Sequence, residues 1–275
     1  MTDETVLITG CSSGIGRATA EYFNDDGWTV YATARDEDDL TDLAEAGCRT
    51  AELDVTSGAD VERVRDRMIE EEGRIDCLVN NAGFGQFGPL EDLPADRLHD
   101  QFDVNVYGPH RMARAVIPQM RTQEEGTIVN ISSVWGRLSA PGTGAYSASK
   151  HAIEAMSDAL RGEVEEWDIE VVVVEPGSVE TEFHDRAVEE IEDGTDRRPE
   201  YDWLYETIED ATLFAGGPPV ASTPEEVATV IHDAASVADP QARYPVGRAT
   251  TFALRARFLP DGLRDRLVRI VRRLA

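Results

Sequence analysis

Tyr146 and Lys150 stand four residues apart, with Ser133 upstream of both. On a helix that spacing puts the phenol and the ammonium on one face. A phenol is a poor base at its ordinary pKa of about 10. A neighbouring ammonium favours the phenolate, so the tyrosine can take a proton from an alcohol or return one to a carbonyl oxygen. A serine hydroxyl beside it can hold the same oxygen. Tyrosine and lysine at this spacing are common on solvated helices, so the pair alone proves little. Composition sharpens it: of 26 basic residues, 25 are arginines and Lys150 is the only lysine. A chain that uses arginine everywhere else keeps a compact ammonium here, which a planar guanidinium cannot reproduce.

A second set of residues could hold a phosphate. Thr9-Gly10-Cys11-Ser12-Ser13-Gly14-Ile15-Gly16 follows an apolar run and opens an amphipathic stretch. The spacing is G-x-x-x-G-x-G rather than G-x-G-x-x-G. The physics is shared: glycines permit a tight turn and close backbone approach, and a helix N-terminus offers N–H groups to a pyrophosphate. A plain strand-to-helix turn can look the same, and the strand–turn–helix setting favours the dinucleotide. The second apolar run ends Ala32-Thr33-Ala34-Arg35-Asp36. Alanine stands where an NAD site places an acid, and Arg35 follows where an NADP site places its cation. NADP(H) is therefore preferred, and Asp36 keeps NAD(H) possible through a one-residue shift. Asp54 ends the third run, where an acid contacts adenine or serves as a capping turn residue.

The elements that must position these groups alternate in type. Apolar runs predict strands at Thr5–Thr9, Thr29–Thr33, Arg49–Leu53, Cys77–Asn80, Thr127–Ile131 and Glu170–Glu175. Helical stretches lie between them at Ile15–Asn24, Asp38–Ala46, Ala59–Glu72, Arg97–Gln123 and Ala145–Trp167. Apolar strands alternating with helices imply an α/β fold with a parallel sheet covered on both faces. Residues 1–247 read as one domain. Within it, the polar stretch 182–222 has aromatic islands at Tyr201, Trp203, Tyr205 and Phe214. An insertion at the carboxyl edge of such a sheet is where a lid over a ligand sits.

The 275 residues include 54 acids, giving a net charge of −28, and 41% are hydrophobic, enough for a core rather than a disordered chain. No apolar run approaches the roughly 18 residues of a spanning helix. The acidic start, Met1-Thr2-Asp3-Glu4, is unlike a signal peptide. Cys11, Cys48 and Cys77 lack metal spacing, which suits a reducing, cytoplasmic setting without disulfides or zinc. The acids are spread rather than blocked. That favours adaptation to a salt-rich cytoplasm over recruitment of basic partners, and a nucleic-acid footprint is missing. Residues 248–275 break the pattern with eight arginines against two aspartates. Leu263, Leu267, Ile270, Val271 and Leu274 fall there at helical spacing. The extension reads as a helix packed on the domain or a neighbouring subunit, or as a peripheral contact with an anionic membrane.

Taken together, these residues resemble the short-chain dehydrogenase/reductase family in its classical branch. The resemblance is carried by Thr9-Gly10-x-x-x-Gly14-x-Gly16, Asn80-Asn81-Ala82-Gly83, Asn105, Ser133, Tyr146-x-x-x-Lys150 and Pro176-Gly177, in the family's order. The interval of 13 from Ser133 to Tyr146 is the family's, and it selects Ser133 over Ser132. The resemblance implies a Rossmann-type doubly wound sheet, Tyr146 as acid/base, Ser133 as carbonyl anchor, and Lys150 as pKa modulator and ribose ligand. It implies that Asn105 holds a water in a proton relay. The cofactor would meet Gly10, Ser12, Ser13, Gly14, Ile15 and Gly16 at its phosphates, and Asp54 and Val55 at its adenine. Asn81, Ala82 and Gly83 would line the ribose and steady the central strand, and Pro176, Gly177, Val179 and Thr181 would meet the nicotinamide. Shorter runs, Phe84-Gly85-Gln86-Phe87-Gly88-Pro89-Leu90 and Val174-Glu175-Pro176-Gly177 among them, are similar to the steroid and retinol dehydrogenase-like subgroup, whose members act on apolar alcohols and ketones. Ser13 departs from the basic residue that many NADP-using relatives carry, which leaves Arg35 as the main phosphate partner. A homodimer or homotetramer follows by the same analogy.

Two rival functions remain: a 3-oxoacyl thioester reductase, and a nucleotide-binding protein without turnover. The histidines read as structural. Cys11, in the phosphate loop, is exposed to blocking by an oxidant if it is more than a small filler. Trp135, Leu138 and Phe183 are expected at the substrate pocket, with a place in the core as the alternative for each. Glu91, Asp92 and the acids of 189–193 are expected on the solvated surface.

Overall fold

The computed structural model describes residues 4–194, 197–210, 221–260, 262, 263 and 266. The strands are β1 (Thr5–Thr9), β2 (Thr29–Ala34), β3 (Arg49–Glu52), β4 (Cys77–Asn80), β5 (Gly126–Ile131), β6 (Ile169–Pro176) and β7 (Arg243–Val246). The helices are α1 (Gly14–Asp25), α2 (Thr41–Glu45), α3 (Gly58–Glu72), α4 (Ala95–Phe102), α5 (Gly108–Gln123), α6 (Gly144–Val164), α7 (Phe183–Gly194), α8 (Asp202–Glu209), α9 (Pro224–Ser236) and α10 (Arg248–Ala253). All strand pairings are parallel, in the order β3-β2-β1-β4-β5-β6-β7. This is a Rossmann-type α/β fold. The order reverses between β1 and β4, and a ligand crevice opens beyond the carboxyl ends of strands at such a reversal.

Every residue of β1, β4 and β5 is buried, as continuous apolar runs require of a sheet covered on both faces. On one face Val6, Ile8, Val79 and Val129 pack with Phe23 of α1 and with Val227 and Ile231 of α9. On the other, Leu7, Leu78 and Ile128 pack with Val64 and Met68 of α3 and with Met112, Val116 and Met120 of α5. A third apolar cluster joins Phe87 and Tyr146 to Ala187 and Ile191 of α7 and to Leu204, Tyr205 and Ile208 of α8. The described helices of the insertion, the expected lid, thus share a core of their own.

Three expectations need correction. The sheet has a seventh strand, β7, whose run Arg-Tyr-Pro-Val buries only its last residue. It is an edge strand, where proline is tolerated and apolar patterning is weak. The single helix expected over Arg97–Gln123 is instead α4, a π-helical stretch at Asp103–Tyr107, and α5. Pro109 enters α5 at its first turn without an N–H, and the Gly108 N–H reaches back five residues to the Asp103 carbonyl. Asp38–Ala46 is likewise split, into a 3-10 turn at Glu37–Leu40 and α2. Most of the apolar stripe expected in the basic extension, from Leu267 onward, lies outside the described residues. Among the described residues, no helix is long and apolar enough to cross a membrane.

Candidate active site

The loop after β1 brings α1 close over the sheet. Gly10 and Gly14 adopt φ of 74° and 56°, and a Cβ on Gly16 would lie 2.1 Å from the Gly10 carbonyl oxygen. Only glycine permits both the turn and the approach. Ser13 is the N-cap of α1, yet its side chain caps nothing. The first-turn N–H groups and the serine hydroxyls therefore stand open to an anion. Ser12, Ser13 and Gly14 line a cavity of about 420 Å³ with Thr181, the cations Arg17 and Arg186, and the acids Asp39, Glu180 and Glu182. Thr9 ties the ends of the two diverging strands. Its hydroxyl accepts the Asn81 and Ala82 N–H groups at 3.0 Å each, and the Asn81 amide donates to the Thr9 and Gly10 carbonyls at 3.0 Å each. An uncapped helix end, a bare glycine cradle and a cavity beside them fit the diphosphate of a dinucleotide.

Farther along the edge, Arg35 leaves β2 exposed and makes no hydrogen bond or ion pair among the described residues. The adjacent Asp36 is committed, accepting the Asp38 N–H at 3.0 Å as the cap of the next turn. Asp54 accepts the Thr56 N–H and hydroxyl at 2.8 Å each, while Ser57 caps α3. Val55 packs under Gly108, where a Cβ would meet it at 2.8 Å.

Beyond β5, Ser133 caps a 3-10 turn by accepting the Trp135 N–H at 3.3 Å, and its hydroxyl lies on the side of the Tyr146 phenol, whose charged form it favours. Tyr146 sits in the first turn of α6. One turn on, Lys150 donates to the Ile131 carbonyl at 2.9 Å, with its Nζ 5.8 Å from the centre of the Tyr146 ring. Ser133, Tyr146 and Lys150 are each 6% exposed. Asn105, in the π-helical stretch, accepts the Phe84 N–H at 3.1 Å and donates to the Phe84 carbonyl at 2.8 Å and Ser149 Oγ at 3.2 Å. Its amide holds the loop after β4 against α6. A Cβ on Gly83 would meet Asn105 Oδ1 at 3.1 Å and Lys150 Nζ at 3.7 Å, so the glycine lets both approach.

Electrostatics differ from the simple pair picture. Burial pushes the Tyr146 phenol up to about 12, against the effect of the Ser133 hydroxyl. Burial also pushes Lys150 down to about 8, against the attraction of Glu154. Desolvation is the largest cause for both groups, because burial removes the water that would stabilise their charged forms. At neutral pH the phenol holds its proton.

Pro176 ends β6. A Cβ on Gly177 would lie 2.0 Å from Thr250 Oγ1, so the start of α10 is seated on this glycine. Val179 bridges to Ser222, and Thr181 accepts the Phe183 N–H at 3.3 Å where the lid begins. Phe87 and Phe183 lie 5.3 and 5.5 Å from the Tyr146 ring centre, and Trp135 packs against the same cluster.

One surface expectation fails here, that for Asp92, while Glu190 keeps a side chain 38% exposed. Asp92 is 3% exposed, accepts the Tyr205 hydroxyl at 2.8 Å and pairs with Arg198, so it clamps the lid to the loop after β4. Glu190 accepts from Gln86 at 3.0 Å and pairs with Arg97 at 3.4 Å. Cys11 is fully buried with its thiol pushed up to about 12 by burial, which leaves it inert to oxidants and alkylators. Sequence reasoning quoted Thr9 and Glu175 within motifs without giving either a role, and it passed over the carboxylate Glu154. Of these, Glu154 had a signal, four residues past Lys150 on the same helix face.

A parallel sheet with an open helix end at its switch point, and a serine–tyrosine–lysine group beside it, defines a dinucleotide-dependent oxidoreductase. The comparisons agree. The family model for short chain dehydrogenases matches residues 4–192. The uncharacterised oxidoreductase YbbO of Escherichia coli (strain K12) is 35% identical over 96% of this chain and 94% of its own. Human 17-beta-hydroxysteroid dehydrogenase type 1 is 35% identical over 89% of this chain and 77% of its own. Among solved structures, a short-chain dehydrogenase from Streptomyces avermitilis superposes with a TM-score of 0.83 at 34% identity, covering 98% of this chain and 96% of the other. A serine dehydrogenase complexed with NADP+ gives 0.77 at 29% identity, covering 90% and 95%. A Burkholderia phymatum relative in complex with NAD gives 0.79 at 29%, covering 92% of each. The chain belongs to the short-chain dehydrogenase/reductase family and is an NAD(P)-dependent oxidoreductase of the CH–OH/carbonyl couple.

Proposed function

We propose that this enzyme is an NADP(H)-dependent carbonyl reductase and alcohol dehydrogenase for small apolar substrates, with Tyr146 as its acid/base. The carrying observation is the buried group of Ser133, Tyr146 and Lys150, each 6% exposed and with Lys150 Nζ 5.8 Å from the Tyr146 ring centre, beside the open N-terminus of α1. The dinucleotide, when bound, supplies or accepts the hydride. Ser133 holds the substrate oxygen, and the protonated phenol gives it a proton as a carbonyl becomes an alcohol. Lys150 steadies the phenol's charge and binds a ribose hydroxyl, and Asn105 holds the relay end of the site. Gly10, Ser12, Ser13, Gly14, Ile15 and Gly16 cradle the diphosphate, with Asn81, Ala82 and Gly83 at the ribose, Asp54 and Val55 at the adenine, and Pro176, Gly177, Val179 and Thr181 at the nicotinamide. Arg35, without a hydrogen bond or ion pair among the described residues while Asp36 caps the next turn, favours NADP(H) over NAD(H). Phe87, Phe183 and Trp135 close on the phenol and favour an apolar substrate.

Tyr146→Phe is the test. Turnover across a carbonyl panel should fall at least about a thousandfold while NADPH still binds. Unchanged turnover would sink the assignment, and binding without turnover in the wild type would favour the non-catalytic rival. The reading includes a homodimer or homotetramer in a reducing cytoplasm, for which light scattering gives the copy number.

A further inference from the structure

Behind the candidate site lies a buried charge network that the proton chemistry above does not use. Glu154 on α6, one turn beyond Lys150, is 5% exposed, and Glu175 at the end of β6 is 2% exposed. Arg137, from the turn after Ser133, reaches Glu175 at 3.0 Å and Glu154 at 3.5 Å. Arg243 on β7 reaches Glu154 at 2.9 Å and Glu175 at 3.8 Å. The network thus joins the segment carrying Ser133, the helix carrying Tyr146 and Lys150, and the strand ending at Pro176. It is unevenly satisfied. Oε2 of Glu154 faces both guanidiniums, whereas Oε1 is buried with no hydrogen-bond partner among the described residues. A brace built only to pin β7 to α6 would satisfy both oxygens, since an orphaned buried acceptor is costly.

We propose that Glu154 is a positioning residue that sets the charge of Lys150, with Arg137, Arg243 and Glu175 holding its carboxylate in place. Lys150 is buried and donates to one neutral carbonyl among the described residues, so its ammonium needs an anion nearby. In a weakly polar interior that anion acts through space without touching it. Glu154 is the group that counters the burial of Lys150. The charged or titratable groups around the pair are Tyr146 and Asp158 on α6, Arg137 after β5, Glu175 on β6 and Arg243 on β7. Asp158 is bound to Arg243 and Arg161 at 2.6 and 2.9 Å, which holds it to its own partners.

The inference rests on the role given to Lys150, yet it can be read without turnover. Because Lys150 is the only lysine, lysine-selective isotope labelling gives one ε-amine NMR signal, and its pH titration reports this residue alone. Glu154→Gln should lower the titration midpoint by about one pH unit or more. Arg243→Leu removes a cation from the network and should raise it. Glu154→Asp should keep it near the wild-type value, as should Glu163→Gln on the exposed side of the same helix. An unmoved midpoint in both Glu154→Gln and Arg243→Leu, or a fall in both, overturns the proposal. If Glu154→Gln does not fold, Arg243→Leu decides alone: a rise supports the proposal and anything else overturns it. Should Tyr146→Phe keep its turnover, the functional reading fails and this titration still stands.

Discussion

The proposed preference for NADP(H) rests on a single side chain, Arg35. It is exposed and without a hydrogen bond or ion pair among the described residues, in a chain where acids outnumber bases by 54 to 26. An exposed guanidinium among so many carboxylates is ready to meet a phosphate, and such charge-assisted bonds are worth about 1.5–3 kcal/mol. Arg35→Ala should therefore weaken NADPH binding by about 10- to 100-fold and leave NADH binding nearly unchanged, as read by paired fluorescence titrations. Equal losses for both would remove the preference. At this scale the sequence was legible where chemistry follows local periodicity. Tyr146 and Lys150 share a helix face by spacing alone, and the glycines of the phosphate loop announce a turn. It was illegible where a residue's partners come from afar. Asp92 looked solvated because Arg198 and Tyr205 lie more than 100 residues away, and only the lid brings them together. The phenol's raised pKa was hidden for the same reason, since burial is a property of the packed whole.

Among elements, the lid is the one most open to test. Its helices α7 and α8 pack on Tyr146 and Phe87, and Asp92 clamps them from below. Burial opposes the charge on Asp92, but Tyr205 and Arg198 hold its carboxyl below the usual range. For an acid with a lowered folded-state pKa, the stabilisation is full above the ordinary carboxylate range and is lost as pH falls through the lowered value. The clamp should therefore persist through mildly acidic pH. Asp92→Asn keeps the shape and loses the ion pair with Arg198. The lid should loosen by about 1–2 kcal/mol, seen as faster proteolysis in the lid and a KM raised roughly tenfold. Unchanged proteolysis and KM would show that the clamp is ornamental. Strands buried on both faces were predicted to within a residue or two because their runs are continuous. The π-helical stretch and β7 were not, because hydrogen-bond slippage at Pro109 and pairing at a sheet edge leave little apolar pattern. Helix α9 did carry a signal that went unused: Thr223 and Glu226 form a capping box ahead of it.

The whole molecule is governed by its −28 charge. Carboxylates spread over one surface repel each other, and salt shortens that repulsion from about 8 Å at 0.15 M to about 3 Å at 1 M. The melting temperature should climb with KCl, by about 5 °C or more between 0.1 and 2 M, and then level off as screening saturates. A flat or falling curve in differential scanning calorimetry would mean that the acids cost the fold nothing, and the salt-adaptation reading would go. The sole lysine has a consequence at this scale too. Its amine is largely buried in the cleft and bonded to the Ile131 carbonyl, so apart from the chain's own α-amine the outer surface offers little to succinimide esters or amine-coupling resins. A dye, a support or a crosslink would have to be attached through carboxylates instead.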